Sequence, residues 1–143
     1  MYSYLYDSFL SHEKHFRTLS TIETLLTDLE INGKIFRLSV MNSPHEIIRD
    51  EAKRGVKNMV VVGTDKLVGQ VLDTLAKYPE MALGIIPVGE PTEMAANFGI
   101  PKDLTGACYI LANRLIRRVS LGKINNSYFL YQAEISGRNI VVD

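Results

Sequence analysis

The chain has 143 residues, of which 46% are hydrophobic and 22% are charged, and this balance predicts one globular domain with a substantial core. Sixteen basic residues balance sixteen acidic ones, which excludes the bulk electrostatics of a nucleic-acid-binding or membrane-surface protein. The single cysteine, Cys108, excludes an internal disulfide framework and a multi-cysteine zinc site.

The N-terminus has no basic start, apolar centre or small-residue cleavage site, so it does not resemble a signal peptide. No apolar run approaches the roughly 20 residues of a transmembrane helix. We therefore expect no transmembrane segment and a cytoplasmic location. His12 and His15 lack the further ligands of a zinc site, and no metal site is predicted.

Helical and extended patterns alternate along the first 114 residues. The elements predicted from this pattern are strands at 2–6, 34–41, 56–62 and 82–87, and helices at 16–29, 45–54, 67–78, 93–98 and 101–113. Asn32 and Gly33 are expected to end the first helix, and Ser43 and Pro44 to start the second. The alternation predicts an α/β fold: a three-layer αβα domain with a mostly parallel sheet.

The pattern changes after residue 114. Segments 115–124 and 128–135 read as strands, and Asn125 and Asn126 between them suit a tight turn. We therefore predict a C-terminal β-hairpin and divide the chain into an α/β domain at 1–114 and a hairpin extension at 115–143. Because the 115–135 hairpin is strongly apolar, it is expected to pack on the domain or to form a homo-oligomer or a complex with a partner chain.

The segment around residues 58–70 organises the chain. The apolar strand ends at Gly63, a polar tripeptide follows, and a helical pattern starts at Leu67. In open α/β sheets ligands bind at such junctions, where a strand ends and a helix begins.

Three segments resemble the diacylglycerol kinases and related bacterial lipid kinases, whose loop is shared by NAD kinases. Residues 60–71 (Val-Val-Val-Gly-Thr-Asp-Lys-Leu-Val-Gly-Gln-Val) resemble the family strand that ends in Gly-Gly-Asp-Gly-Thr. Residues 84–101 resemble the family's Gly-Ile-Ile-Pro-Leu-Gly-Thr-Gly-Asn-Asp segment, and residues 118–125 its Ile-Asp-Leu-Gly-x-Val-Asn segment. The resemblance implies a nucleotide-binding α/β domain that uses ATP and Mg²⁺, followed by a β-rich domain. This sequence ends about where that second domain would begin.

The resemblance assigns nucleotide-binding positions to two loops. These positions are Gly63, Thr64, Asp65, Lys66, Gly89, Glu90, Thr92 and Glu93. Two loop glycines are replaced by Thr64 and Lys66, whose side chains occupy the expected phosphate position. Glu90 adds a carboxylate that would repel phosphate, and Asp7 and Ser8 replace the family's Asn-Pro. No catalytic residue is identified.

Structural alternatives accompany these assignments. Asp65 contacts phosphate or magnesium in the functional interpretation, and caps its own helix in the structural one, which we favour. Thr92 is expected to cap the next helix. Three interpretations of Lys66 are open. It contacts a phosphate, it is a solvated surface lysine, or it forms an ion pair with Glu90 or Glu93 that fills the nucleotide pocket.

Two functions follow. The first is an ATP-dependent lipid kinase domain whose phosphotransfer is weakened or lost. The second is a non-catalytic module, a pseudoenzyme that binds a ligand or a protein on the same scaffold.

Overall fold

The computed structural model describes residues 1–114, 116–119, 121–124, 127–130 and 139–142. In these residues the strands are β1 (Tyr2–Tyr6), β2 (Lys34–Arg37), β3 (Asn58–Gly63), β4 (Ala82–Pro87), β5 (Ile116–Val119), β6 (Leu121–Ile124), β7 (Ser127–Leu130) and β8 (Asn139–Val142). The helices are α1 (Phe16–Asp28), α2 (Pro44–Lys53), α3 (Asp65–Leu75), α4 (Glu93–Asn97) and α5 (Leu104–Asn113). Two short 3-10 turns, Ser8–Ser11 and Glu13–His15, connect β1 to α1.

The main sheet has the strand order β2-β1-β3-β4-β8-β5. The first four of these strands are parallel, as their pairings show. β8 then pairs antiparallel with β4 and parallel with β5. The predicted α/β fold with a parallel sheet is therefore confirmed. From β1 the chain first adds β2 on one side and later adds β3 on the other side. The direction in which strands are added to the sheet therefore reverses at β1.

The helices cover both faces of the parallel strands. α1 packs against α5, and α2 packs against α3. Right-handed crossovers place α1 on the face opposite to α2 and α3, because the chain moves in opposite directions along the sheet. The three predicted layers follow from this arrangement.

The core lies where the central strands meet the helices. Every residue of β1 and β4 is buried, and so are the β3 residues Met59 to Gly63. Strands buried on both faces read as continuous apolar runs rather than as alternating ones, which explains why these strands are recognisable in the sequence. Each fully buried Leu, Ile, Val or Met side chain contributes about 1.5–3 kcal/mol to stability.

Two predictions in the first half of the chain are wrong: the residues that end the first helix and the end of the second strand. α1 ends at Asp28, and Glu30 adopts a left-handed conformation with φ of 60° while Ile31 N–H donates to the Leu26 carbonyl. This turn ends the helix before Asn32 and Gly33 are reached. The second strand stops at Arg37, because a turn follows in which Ser39 N–H donates to Asn42 Oδ1 at 2.7 Å.

The helix starts agree with the sequence in part. The Ser43 hydroxyl accepts from His45 N–H at 3.1 Å, and Pro44 opens α2, as predicted. α3 begins at Asp65, two residues before the predicted start, and ends at Leu75 rather than at 78.

The predicted strand at 115–124 is divided in two. Ile116–Val119 joins the main sheet as β5, and Leu121–Ile124 pairs antiparallel with Ser127–Leu130. The turn at 125–126 and residues 131–135 of the predicted hairpin lie outside the described residues, and the homo-oligomer or partner-chain contact of the 115–135 segment stays a prediction. None of the helices in the described part of the chain is long and apolar enough to cross a bilayer.

Candidate functional site

The loops after β1, β3 and β4 meet at the carboxyl edge of the sheet. Because the strand order reverses at β1, the crevice between β1 and β3 is the position at which open α/β sheets bind ligands. The nucleotide-binding positions assigned from the resemblance lie in the last two of these loops. The geometry of this edge therefore decides what those residues can bind.

Asp7 and Thr64 close the crevice between β1 and β3. Asp7 Oδ2 accepts from the Thr64 backbone N–H at 3.2 Å and from the Thr64 hydroxyl at 3.1 Å. The Asp7 N–H in turn donates to the Val62 carbonyl at 2.9 Å. The Asp7 carboxylate thus accepts a hydrogen bond from the Thr64 N–H group. In such a loop that N–H group could otherwise donate to a ligand phosphate.

Asp65 links the loop after β3 to the loop after β4. Its Oδ2 accepts from Glu93 N–H at 2.9 Å, and its Oδ1 accepts from Met94 N–H at 3.0 Å. The Asp65 N–H also donates to the Pro91 carbonyl at 2.9 Å. The expectation that Asp65 caps its own helix is therefore wrong, because its side chain satisfies free amides at the start of α4.

Thr92 was expected to cap α4, and this prediction is also wrong. Thr92 precedes the helix, but its side chain makes no capping hydrogen bond. The Asp65 carboxylate supplies that bond from 28 residues earlier in the chain, and a carboxylate near a helix start is also favoured by the helix dipole.

Gly63 and Gly89 are required by close contacts between the loops. A Cβ atom on Gly63 would lie 2.5 Å from the Asp7 Cβ atom. Gly89 has φ of 86°, and its Cβ would lie 2.7 Å from the Phe9 ring and 3.0 Å from Thr64 Cγ2. The retained glycines therefore serve the packing of these three loops, independently of any ligand.

Lys66 and Glu90 lie apart. Glu90 forms an ion pair with Lys102, which is positioned before α5. Lys66 is exposed, and none of the ion pairs between described residues includes it. The hypothesis that Lys66 fills the pocket by pairing with Glu90 or Glu93 is therefore wrong.

Lys66 instead lines a cavity of about 280 Å³ next to the crevice, called the switch-point cavity. Its lining residues are Asp7, Ser8, Leu38, Ser39, Val40, Asn42, Pro44, Lys66, Leu67 and Gln70. Residues with hydroxyl, amide and ammonium groups therefore surround one opening at the start of α3, together with Asp7, whose carboxylate opposes the charge of an anion. Such a set can bind a small anion through Lys66 and neighbouring donors.

The described residues do not fit Mg²⁺, the cofactor that the resemblance implies. Mg²⁺ is bound by oxygen ligands, usually one or two carboxylates together with phosphates. Both Asp65 oxygens accept backbone N–H groups, and Asp7 Oδ2 accepts two donors from Thr64. Within the described ranges, no three His, Cys, Asp or Glu side chains form a group that could hold a metal ion.

The sequence assigned no role to three residues that shape this edge: Asp7, Phe9 and Lys102. The resemblance marked Asp7 only as a departure from the family's Asn-Pro, and its position directly after β1, like that of Asp65 after β3, was a further signal. Phe9 and Lys102 had no such signal, because their contacts with Gly89 and Glu90 arise only when the loops fold together.

Known proteins share this fold. A solved structure described as a diacylglycerol kinase from Bacillus anthracis str. Sterne superposes on 89% of this chain with a TM-score of 0.74 and 19% identity. The chain covers 45% of that structure. This similarity concerns the fold.

Sequence relatives give the same result. A diacylglycerol kinase of Staphylococcus haemolyticus is 31% identical over 85 residues, which are 56% of this chain and 26% of the relative. A diacylglycerol kinase of Staphylococcus epidermidis is 28% identical over 85 residues, 56% of this chain and 27% of the relative. The matched segment thus spans about a quarter of the length of these relatives.

The family model described as "Diacylglycerol kinase catalytic domain" matches residues 5–124. The chain therefore belongs to the diacylglycerol kinase catalytic domain family.

Proposed function

We propose that this chain is a nucleotide-binding domain of the lipid-kinase type whose phosphate loop is closed by its own carboxylates. It binds nucleotide weakly at the switch-point cavity and transfers no phosphoryl group by itself. The loops at 63–66 and 89–93, which the resemblance assigns to nucleotide binding, have a mainly structural role in this proposal.

The observation that carries the proposal is that backbone N–H groups of the two loops already donate hydrogen bonds to carboxylates of the same chain. The Thr64 N–H donates to Asp7, and the Glu93 and Met94 N–H groups donate to Asp65. A phosphate would have to displace these carboxylates and would be repelled by their charge. The glycines that let a phosphate approach the backbone in the family are also replaced by Thr64 and Lys66.

Phosphotransfer to a lipid is a property of the longer relatives in this proposal. The family comprises ATP-dependent lipid kinases, and this chain aligns with about a quarter of the curated relatives. In this proposal the lipid acceptor site and the catalytic base lie in the β-rich domain that the resemblance implies, outside the part of the relatives that this chain matches.

A nucleotide titration tests the proposal. The melting temperature of the wild-type protein is followed with rising Mg·ATP, since a ligand that binds the native state raises it by mass action. We expect no shift at micromolar nucleotide and a small one at millimolar nucleotide. Asp7→Asn keeps the side-chain shape and removes the charge, so Mg·ATP should raise its melting temperature more. Asp50→Asn, an exposed change on α2, is the control and should behave as wild type.

A micromolar affinity of the wild-type protein for Mg·ATP would overturn the closed-loop proposal. Phosphorylation of diacylglycerol in mixed micelles by the purified chain would overturn the absence of phosphotransfer. The Asp7→Asn result separates two causes of weak binding, the Asp7 carboxylate and the replaced loop glycines. If this variant responds to Mg·ATP as the wild type does, the carboxylate does not limit nucleotide access.

A second candidate function is the binding of a small anion on the same scaffold. It is favoured by Lys66, which lines the switch-point cavity and has no ion-pair partner among the described residues. Inorganic phosphate should then stabilise wild type more than Lys66→Gln. Equal stabilisation of both proteins would remove this candidate.

A further inference from the structure

A second cavity, of about 460 Å³, lies beside the first turns of α1. We call it the α1 cavity. The residues that carry its chemistry are Leu10, Phe16, Leu19, Glu23 and Arg37. It is larger than the switch-point cavity and shares none of its lining residues. Its volume lies within the range of about 300–1,000 Å³ that is usual for small-molecule sites.

One side of the α1 cavity is apolar. Leu10 and Leu19 are 1% and 6% exposed and form the buried part of this wall. Phe16 also lines the cavity but leaves 57% of its surface accessible. An aromatic ring that stays exposed next to a buried leucine wall offers contact area to a ligand, because covering it removes apolar surface from water.

Besides Ser11 and Ser20, the polar residues that line the cavity are one acid and one base. Glu23 Oε1 accepts from the Tyr6 hydroxyl at 3.2 Å, which holds this carboxylate in place and leaves Oε2 available. Arg37 ends β2 and is exposed. The ion pairs formed within the described ranges include neither Glu23 nor Arg37. The two charges line the same cavity without neutralising each other through a direct contact.

We propose that the α1 cavity binds a small zwitterion with an apolar side chain, such as a free aromatic or aliphatic α-amino acid. The ligand carboxylate pairs with the Arg37 guanidinium, and its ammonium group pairs with the Glu23 carboxylate. The side chain lies on Leu10, Phe16 and Leu19. This site is separate from the nucleotide loops and does not rest on the function proposed for them.

Charge complementarity selects this ligand class. A ligand with only a carboxylate is attracted by Arg37 and repelled by Glu23. A ligand with only an ammonium group is attracted by Glu23 and repelled by Arg37. A zwitterion gains from both charges, and the guanidinium also matches the geometry of a carboxylate. The apolar wall then distinguishes a large side chain from glycine.

Isothermal titration calorimetry of the wild-type chain with L-phenylalanine tests the proposal. Three probes each lack one element: 3-phenylpropionate lacks the ammonium, phenethylamine lacks the carboxylate, and glycine lacks the side chain. We expect saturable binding of phenylalanine and affinities about three- to tenfold lower for the two singly charged probes, the size of single partly exposed charge contacts. Glycine should lose more than about tenfold, because it gives up the apolar contact of the side chain. The absence of saturable heat at millimolar phenylalanine would overturn the proposal.

Two variants test the assignment of the charges. Arg37→Gln should lower the affinity for phenylalanine and raise the affinity for phenethylamine, whose ammonium group is no longer repelled by Arg37. Glu23→Gln keeps an oxygen that can accept from Tyr6, and should lower the affinity for phenylalanine while raising that for 3-phenylpropionate. Arg49→Gln, on the exposed surface of α2, is the matched control. Equal binding of phenylalanine by wild type and both cavity variants would overturn the site even if the wild-type protein binds.

Discussion

The Asp65 carboxylate, in the first turn of α3, accepts the backbone N–H of Glu93 at the start of α4 at 2.9 Å. This bond joins the loops that follow two adjacent parallel strands, β3 and β4. It converts a residue that the family resemblance places in the nucleotide loop into a cap for a different helix. The carboxyl edge of the sheet is therefore stabilised by side chains that could have served a ligand.

Replacing Asp65 should destabilise the fold more than replacing Thr92. Asp65→Ala removes two hydrogen bonds to the start of α4, and a lost cap costs about 0.5–2 kcal/mol. Thr92→Ala removes no capping bond and should change the free energy of unfolding by less than about 0.5 kcal/mol. Urea unfolding monitored by circular dichroism measures both. A larger loss in Thr92→Ala than in Asp65→Ala would contradict the capping assignment.

Gly63→Ala and Gly69→Ala should have opposite effects on stability. A methyl group at position 63 would lie 2.6 Å from Asp7 Oδ2, and such overpacking costs about 1–3 kcal/mol. Gly69 lies inside α3 with no atom within 4 Å of an added Cβ, so alanine there should stabilise the protein by about 0.5–1 kcal/mol. Thermal unfolding of both variants provides the comparison. Destabilisation by Gly69→Ala would show that α3 packs differently.

Glu51 is a buried carboxylate held by groups on three elements. Its Oε1 accepts from Lys34 and Arg54, each at 3.1 Å, and its Oε2 accepts from Ser3 at 3.4 Å. Replacing both Lys34 and Arg54 by Met would strand a buried charge, which costs about 3–5 kcal/mol.

Glu51→Leu provides the contrast to that double variant. It removes the buried charge itself, while Lys34 and Arg54 can rehydrate because their side chains are more than half exposed. Chemical denaturation should therefore show a smaller loss for Glu51→Leu than for the double variant. The reverse order would contradict this account.

Cys108 should make the stability of the protein fall at alkaline pH. Burial raises the pKa of its thiol from 9.0 to about 11. The folded state therefore keeps its proton more tightly than the unfolded state. The stability that this gives is fully present below pH 9 and is lost as the pH rises from 9 to 11, at up to about 1.4 kcal/mol per pH unit.

Cys108→Ala isolates this effect. Burial also raises the pKa of Tyr4 and Tyr6, so both proteins should lose stability above pH 10. Denaturant unfolding between pH 8 and pH 10 should show a steeper decline for wild type than for Cys108→Ala. Parallel curves over that interval would contradict the assignment to Cys108.

The sequence was sufficient to predict the elements of the parallel sheet. The bounds of β1 and β4 agree with the prediction because each is a short apolar run that local breakers delimit. α2 was also predictable, since Ser43 and Pro44 act on the helix within a few residues. The turn that ends α1 was not, because Glu30 adopts a left-handed conformation that its residue type does not favour.

The identity and position of the two family loops were determined by the sequence itself, since strand, glycine and helix follow one another within a dozen residues. Their chemistry was decided by the tertiary structure. Asp7 reaches Thr64 across 57 positions, Asp65 reaches Glu93 across 28, and Glu90 pairs with Lys102 rather than Lys66. A loop carboxylate can accept a hydrogen bond from any backbone N–H group that folding brings near it. The local sequence therefore does not determine which N–H group becomes its partner.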